Sequence, residues 1–132
     1  MIKIFTDGGS RGNPGPSAIG VVIGDKSYFK YIGSRTNNQA EYEAVIFALE
    51  QAKKLKLPGL EINLDSELVC KQLNHQYKIK DKDLQPLFIK AWNLSLDFKK
   101  IIFKYIPREQ NKEADKLVNQ ELDKQLTNFF LA

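Results

Sequence analysis

The chain has 132 residues, 42% of them hydrophobic and 27% charged. That length suits one domain with a continuous core and leaves little room for a second, so residues 1–132 are expected to fold as a single unit. The longest apolar-plus-glycine run, residues 18–24, is too short to span a bilayer, and the first residues lack a signal-peptide pattern. A single cysteine, Cys70, excludes an intrachain disulfide and a cysteine-based metal cage, and makes a reducing cytoplasm the expected location. The net charge of +4 is uneven: residues 71–112 hold ten lysines and arginines against four acids, leaving the remainder slightly acidic. A local basic excess suits a polyanionic partner, and it equally suits lysines solvating helix faces.

Residues 2–7 read as a short strand ending on Asp7. Residues 8–16, rich in glycine and proline, then predict a long turn without regular structure. Residues 18–23 form an apolar, β-branched run, Asp25-Lys26 a tight turn, and residues 27–32 a return strand. The period then changes: Tyr42, Val45, Ile46 and Leu49 fall at helical spacing, with Pro58-Gly59 as a stop. Residues 60–64 predict a strand ending at Asp65, and a two-turn helix follows from Ser66. Leu84, Leu87, Phe88, Ala91, Trp92 and Ser95 trace another helical face, with Phe88 and Trp92 expected in the core. Residues 101–106 read as a strand stopped by Pro107, and a last helix starts at Asn111. The apolar tail 127–132 either docks on the body or frays. The resulting order, β-β-β-α-β-α-α-β-α, favours a mixed sheet whose first three strands run antiparallel, with helices on its faces.

Four acids fall at element ends. Asp7 ends the first strand, Glu41 opens the first helix, Asp65 ends the fourth strand, and Asp115 lies in the first turn of the last helix. Strand ends and helix starts converge on one edge of such a sheet. Four carboxylates meeting there need a cation, and all-oxygen ligands favour Mg²⁺ or Mn²⁺. Each acid also has an ordinary local role available. Glu41 can reach back to the start of its helix in a capping box, Asp65 can end a strand ahead of the N-cap Ser66, Asp115 suits a helix dipole, and Asp7 suits a turn.

In order along the chain, Thr6-Asp7-Gly8-Gly9 with the stretch to Pro16, residues 36–44, residues 64–69 and residues 107–115 resemble the motifs of ribonuclease H type 1. The resemblance implies the ribonuclease H-like α/β fold with a mixed five-stranded sheet. It also implies an endonuclease that hydrolyses the RNA strand of RNA–DNA hybrids by attack of water with two Mg²⁺ or Mn²⁺ ions, leaving 5′-phosphate and 3′-hydroxyl ends. By position, Asp7, Glu41, Asp65 and Asp115 match the family's metal-binding carboxylates. Glu43 is set aside, because two residues past Glu41 it turns roughly 200° around a helix. Gly8, Asn13, Asn37, Asn38 and Ser66 match positions around the hybrid's minor groove, where 2′-hydroxyls distinguish RNA from DNA. Thr36 and Asn13 resemble a pocket for a DNA-strand phosphate, and Gly8 and Gly9 are expected to offer backbone N–H groups to the nucleic acid.

Two departures stand out. The only histidine, His75, lies outside the segment in which many members carry a catalytic histidine; Arg108 occupies that loop and is a candidate for orienting phosphate or aiding release. The basic handle of some members is absent: residues 74–83 are short and lead directly to Leu84, with Lys78, Lys80 and Lys82 to supply part of its charge. The reading is therefore a short form acting as a monomer away from membranes, with double-stranded RNA as a second candidate substrate.

Overall fold

A computed structural model describes residues 1–131; Ala132, the last residue of the apolar tail, lies outside the described residues. Strands β1 (Ile2–Ser10), β2 (Gly15–Ile23) and β3 (Lys26–Arg35) form the expected antiparallel meander. Helix α1 (Asn37–Lys54), β4 (Gly59–Leu64), α2 (Glu67–Leu73), α3 (Gln85–Ser95), β5 (Lys100–Tyr105) and α4 (Lys112–Leu131) complete the chain. The sheet order is β3-β2-β1-β4-β5, with β4 parallel to both β1 and β5.

Strand β2 explains why the sheet has two covered faces. Successive side chains alternate sides. Val21 and Ile23 join the large core under α1 with Tyr42, Leu49, Ile62 and Leu64. Ala18, pointing the other way, packs with Val118 and Leu122 of α4. A strand buried on both sides reads as a continuous apolar run, as this one does. Gly20 lets α4 approach closely, since a side chain there would meet the carbonyl of Ala114 and the Cβ of Leu117.

The glycine-rich stretch departs from its expected form. Instead of an irregular turn across residues 8–16, β1 continues to Ser10 and β2 begins at Gly15, paired through Gly8↔Ile19, Gly9↔Ala18 and Ser10↔Ser17. At Gly8 and Gly9 neighbouring helices occupy the space a side chain would have filled: the α1 backbone at Ala40 and Glu41, and Val118 of α4. The α3 face also differs: Phe88 is half-buried, but Trp92 is 41% exposed, with its ring 4.6 Å from that of His75. Ala91 and Ser95 take the buried positions on that helix, leaving Trp92 to cover its rim. Through the described part of the tail, up to Leu131, α4 continues as helix.

Candidate active site

Strand and helix ends bring the four acids together. Asp7 sits on the central strand β1, opposite Gly20, and Asp65 follows the last residue of the adjacent parallel strand β4. Glu41 lies early in α1, a helix started by Thr36. The Thr36 hydroxyl accepts the Gln39 N–H, and the Gln39 side chain accepts the Thr36 N–H. The capping box thus uses Gln39, not Glu41, which corrects the local role considered for that acid. Glu41 instead points across to β1, where its Oε1 accepts the Gly8 N–H at 2.8 Å.

One carboxylate oxygen each from Asp7, Glu41 and Asp65 lie within 4.8 Å of one another. Asp7 and Glu41 are each only 7% exposed. Burial pushes Asp7 up from its ordinary 3.8 to about 7; the charges of Asp65 and Asp115 add to the rise, and a hydrogen bond with Glu41 opposes it. Burial and the Asp7 charge hold Glu41 well above the usual carboxylate range, and burial raises Asp65. Asp115 completes the rim from the first turn of α4, 3.6 Å from the Arg108 guanidinium. Arg108 therefore pairs with an acid of the cluster, not with its neighbours Glu109 or Glu113.

The cleft above the acids has a volume of about 440 Å³ and is lined by Gly8, Gly9, Asn37, Asn38, Ser66 and Arg108 among others. Asn13 and Thr36 do not line it. Asn13 stands one step behind, its Oδ1 accepting the Asn37 N–H at 3.0 Å, and the Thr36 hydroxyl is engaged in the helix cap. Gly8 departs from its expected role. Its N–H belongs to Glu41, and a side chain there would run into the backbone of Ala40 and Glu41. The glycine admits α1 against β1 while still lining the cleft. Glu43 faces away, paired with Arg35 at 3.4 Å, as its helical offset requires.

One residue of the site was absent from the sequence reading. In the sequence Asn111 is the start of the last helix and one position of the 107–115 motif with no role of its own, yet it is 1% exposed and its Nδ2 donates to the Thr6 carbonyl and to Asp65 Oδ2. An asparagine ahead of a helix signals a cap, and nothing local reveals that its amide turns inward.

The sequence profile of the family described as reverse transcriptase-like matches residues 5–121. Ribonuclease HI of Halobacterium salinarum is 41% identical over 92% of this chain and 64% of its own length. The crystal structure of RNase H1 from that archaeon superposes with a TM-score of 0.90 at 40% identity, covering 93% of this chain and 98% of that one. LC11-RNase H1, solved in complex with RNA/DNA hybrid, gives a TM-score of 0.90 at 44% identity over 96% of this chain and 99% of its own. A bifunctional protein of Mycobacterium tuberculosis is 37% identical over 92% of this chain, which spans only 35% of that relative's length. Among the described residues no helix is long and apolar enough to cross a membrane. With the sheet order, the matched motifs and these likenesses in agreement, the chain belongs to the ribonuclease H type 1 family.

Proposed function

We propose that this chain is a ribonuclease H that hydrolyses the RNA strand of RNA–DNA hybrids, with residues 1–132 acting as one catalytic domain. The observation that supports this reading most is the convergence of four carboxylates from β1, α1, the β4 end and α4 beside one open cleft. The group fits divalent cations. Its donors are hard oxygens, and two of them are buried with their charged forms disfavoured, which a cation reverses. Asp7, Glu41, Asp65 and Asp115 would hold two ions, Mg²⁺ or Mn²⁺. Such ions supply Lewis-acid polarisation of phosphate and a water acidified enough to attack near neutral pH.

The remaining residues bind and orient. Asn37 Oδ1 accepts the Ser10 N–H, which fixes the amide and turns its donors to a ribose 2′-hydroxyl. Ser66 caps α2 by accepting the Val69 N–H, and its own hydroxyl proton is free to donate to the hybrid beside Asn38. Asn13 supports Asn37 and, with Thr36, flanks the approach of a DNA-strand phosphate; Gly9 leaves that wall flat. Arg108, with its side chain 78% exposed beside Asp115, holds phosphate and helps release product. As a permanent cation it cannot shuttle a proton. A single chain holds the complete set of acids, so hydrolysis needs no second copy.

The test is cleavage of end-labelled RNA–DNA hybrid, double-stranded RNA, double-stranded DNA and single strands under Mg²⁺ or Mn²⁺. Cutting confined to the RNA strand of the hybrid is the expected result. Cutting of double-stranded RNA at a similar rate would widen the substrate class, and no cutting of any RNA would refute the reading.

A further inference from the structure

Asn111 contacts three of the elements that carry the acids. Its Nδ2 donates to the Thr6 carbonyl at 2.8 Å, the peptide that leads into Asp7. The same nitrogen reaches Asp65 Oδ2 at 3.3 Å. Its main-chain carbonyl accepts the Asp115 N–H at 3.1 Å, and its own N–H donates to the Arg108 carbonyl at 2.9 Å. One residue thereby links β1, the β4 end, the first turn of α4 and the Arg108 loop.

Two details separate this from ordinary helix capping. A capping asparagine uses its side-chain oxygen to accept an N–H of the first helical turn. Among the described residues Asn111 Oδ1 is buried with no hydrogen-bond partner, so the amide is not performing that role. Reversing the amide would not help, because Oδ1 would then face the Thr6 and Asp65 oxygens, both acceptors. The side chain is held inward, with one acceptor unsatisfied, in the orientation that gives its donors to the acid cluster. Leaving a buried acceptor unpaired is costly, which marks the inward contacts as the reason for the residue.

We propose that Asn111 is a positioning residue of the carboxylate centre: it fixes the Asp65 carboxylate against β1 and sets Asp115 on α4, so that the cluster is preformed for divalent cations. The inference rests on the reading of the four acids as a cation site. It predicts that removing the amide weakens cation binding while substrate contacts stay intact, because Asn111 is buried and does not line the cleft.

The experiment compares wild type, Asn111→Ala and Asn111→Ser on the intact chain. Free Mn²⁺ is titrated by electron paramagnetic resonance without substrate, and folding is checked by circular dichroism. The serine variant can still cap α4 but cannot reach Asp65, so it separates the two roles. Positioning predicts that both variants bind Mn²⁺ about 10- to 100-fold more weakly. It also predicts that turnover is recovered at high Mg²⁺ and that KM for hybrid stays within about twofold. Wild-type affinity in the serine variant would show that the amide contacts do not set the cation site and overturn the proposal, while leaving the nuclease reading intact. A wild type that binds no Mn²⁺ and cuts no hybrid would overturn both. Should either substitution unfold the chain, NMR of the wild type decides: the Asn111 side-chain amide protons should exchange slowly and shift on adding Mg²⁺. An unmoved resonance would contradict the proposal.

Discussion

The two ends of α4 invert the usual distribution of residues in opposite ways. At its start, polar groups are buried: Asn111 is 1% exposed, and Asp115 leans on a cluster whose deepest members are Asp7 and Glu41. At its far end, apolar groups are exposed: Leu126 is 51% exposed, and Phe129 and Phe130 are each 76% exposed. Between them Val118 and Leu122 pack on β2 in the ordinary way. The contrast teaches where each inversion comes from. Buried carboxylates are unfavourable unless compensated, so their gathering at the start points to a bound cation. The exposed rings at the other end need no such compensation. They lie past the packed turns at Val118 and Leu122, where Leu126 and Phe129 only border a shallow groove with Pro16 and Tyr31. Chemistry should therefore respond to changes at the first end and remain indifferent to the second.

The largest expected effect is at Asp7. Asp7→Asn should lower turnover by about a thousandfold or more, as loss of one electrostatic element of a preorganised site does. The same change removes a buried charge from a repulsive cluster, so the metal-free melting temperature should rise by about 3 °C or more. A fall in stability would mean that the acids act as a structural network. Next is Gly8→Ala. With the backbone of Ala40 and Glu41 in the way of any side chain, α1 must move off β1. A loss of about 1–3 kcal/mol by urea denaturation is expected, together with loss of cutting, since Glu41 moves with the helix.

The pH dependence sharpens the same comparison. A carboxyl whose pKa rises on folding keeps its proton in the native state at pH values where the unfolded chain has released it. The metal-free protein should therefore lose stability as pH rises from about 4 through 7, the window between the ordinary value and that of Asp7. Mg²⁺ binds the deprotonated acids, so its stabilising shift in melting temperature should be larger at pH 8 than at pH 5. Equal shifts at both would place the ion elsewhere.

Arg108→Ala should reduce turnover by about tenfold with little change in hybrid KM, because the guanidinium sits on the exposed rim beside Asp115. Unchanged turnover would leave it a surface ion pair. The smallest effect belongs to the far end of α4. Phe129→Ser with Phe130→Ser should change stability by no more than about 0.5 kcal/mol and turnover hardly at all. A large loss would show that the tail is engaged in a way its exposure does not suggest.

How much of this was legible depends on whether a residue's partner lies near it in sequence. The four acids were visible because each falls at the end of a strongly patterned element, and sheet topology carries such ends to one edge. The order of elements was visible for the same reason. The cap of α1 was not: residues 36–39 offer Thr, Asn, Asn and Gln, and the approach of the chain from β3 selects Thr36 with Gln39. Gly8 read as a turn former because its true neighbour, the backbone at Ala40, is 32 positions away. Trp92 read as core from helical spacing, yet the stripe on α3 is narrower than the spacing implied, and Trp92 falls at its margin. Asn111 carried a local signal for a cap, which hid contacts with Thr6 and Asp65 that only the folded sheet creates.

The most direct measurement is a side-by-side cleavage assay of end-labelled RNA–DNA hybrid under Mg²⁺. It would use wild type, Asp7→Asn, and the double variant Phe129→Ser, Phe130→Ser. Cutting of the RNA strand by the wild type and the tail variant, with none by Asp7→Asn, is the predicted result. Cutting by Asp7→Asn at the wild-type rate, or no cutting by the wild type, would contradict the assignment of the acid cluster as the catalytic centre.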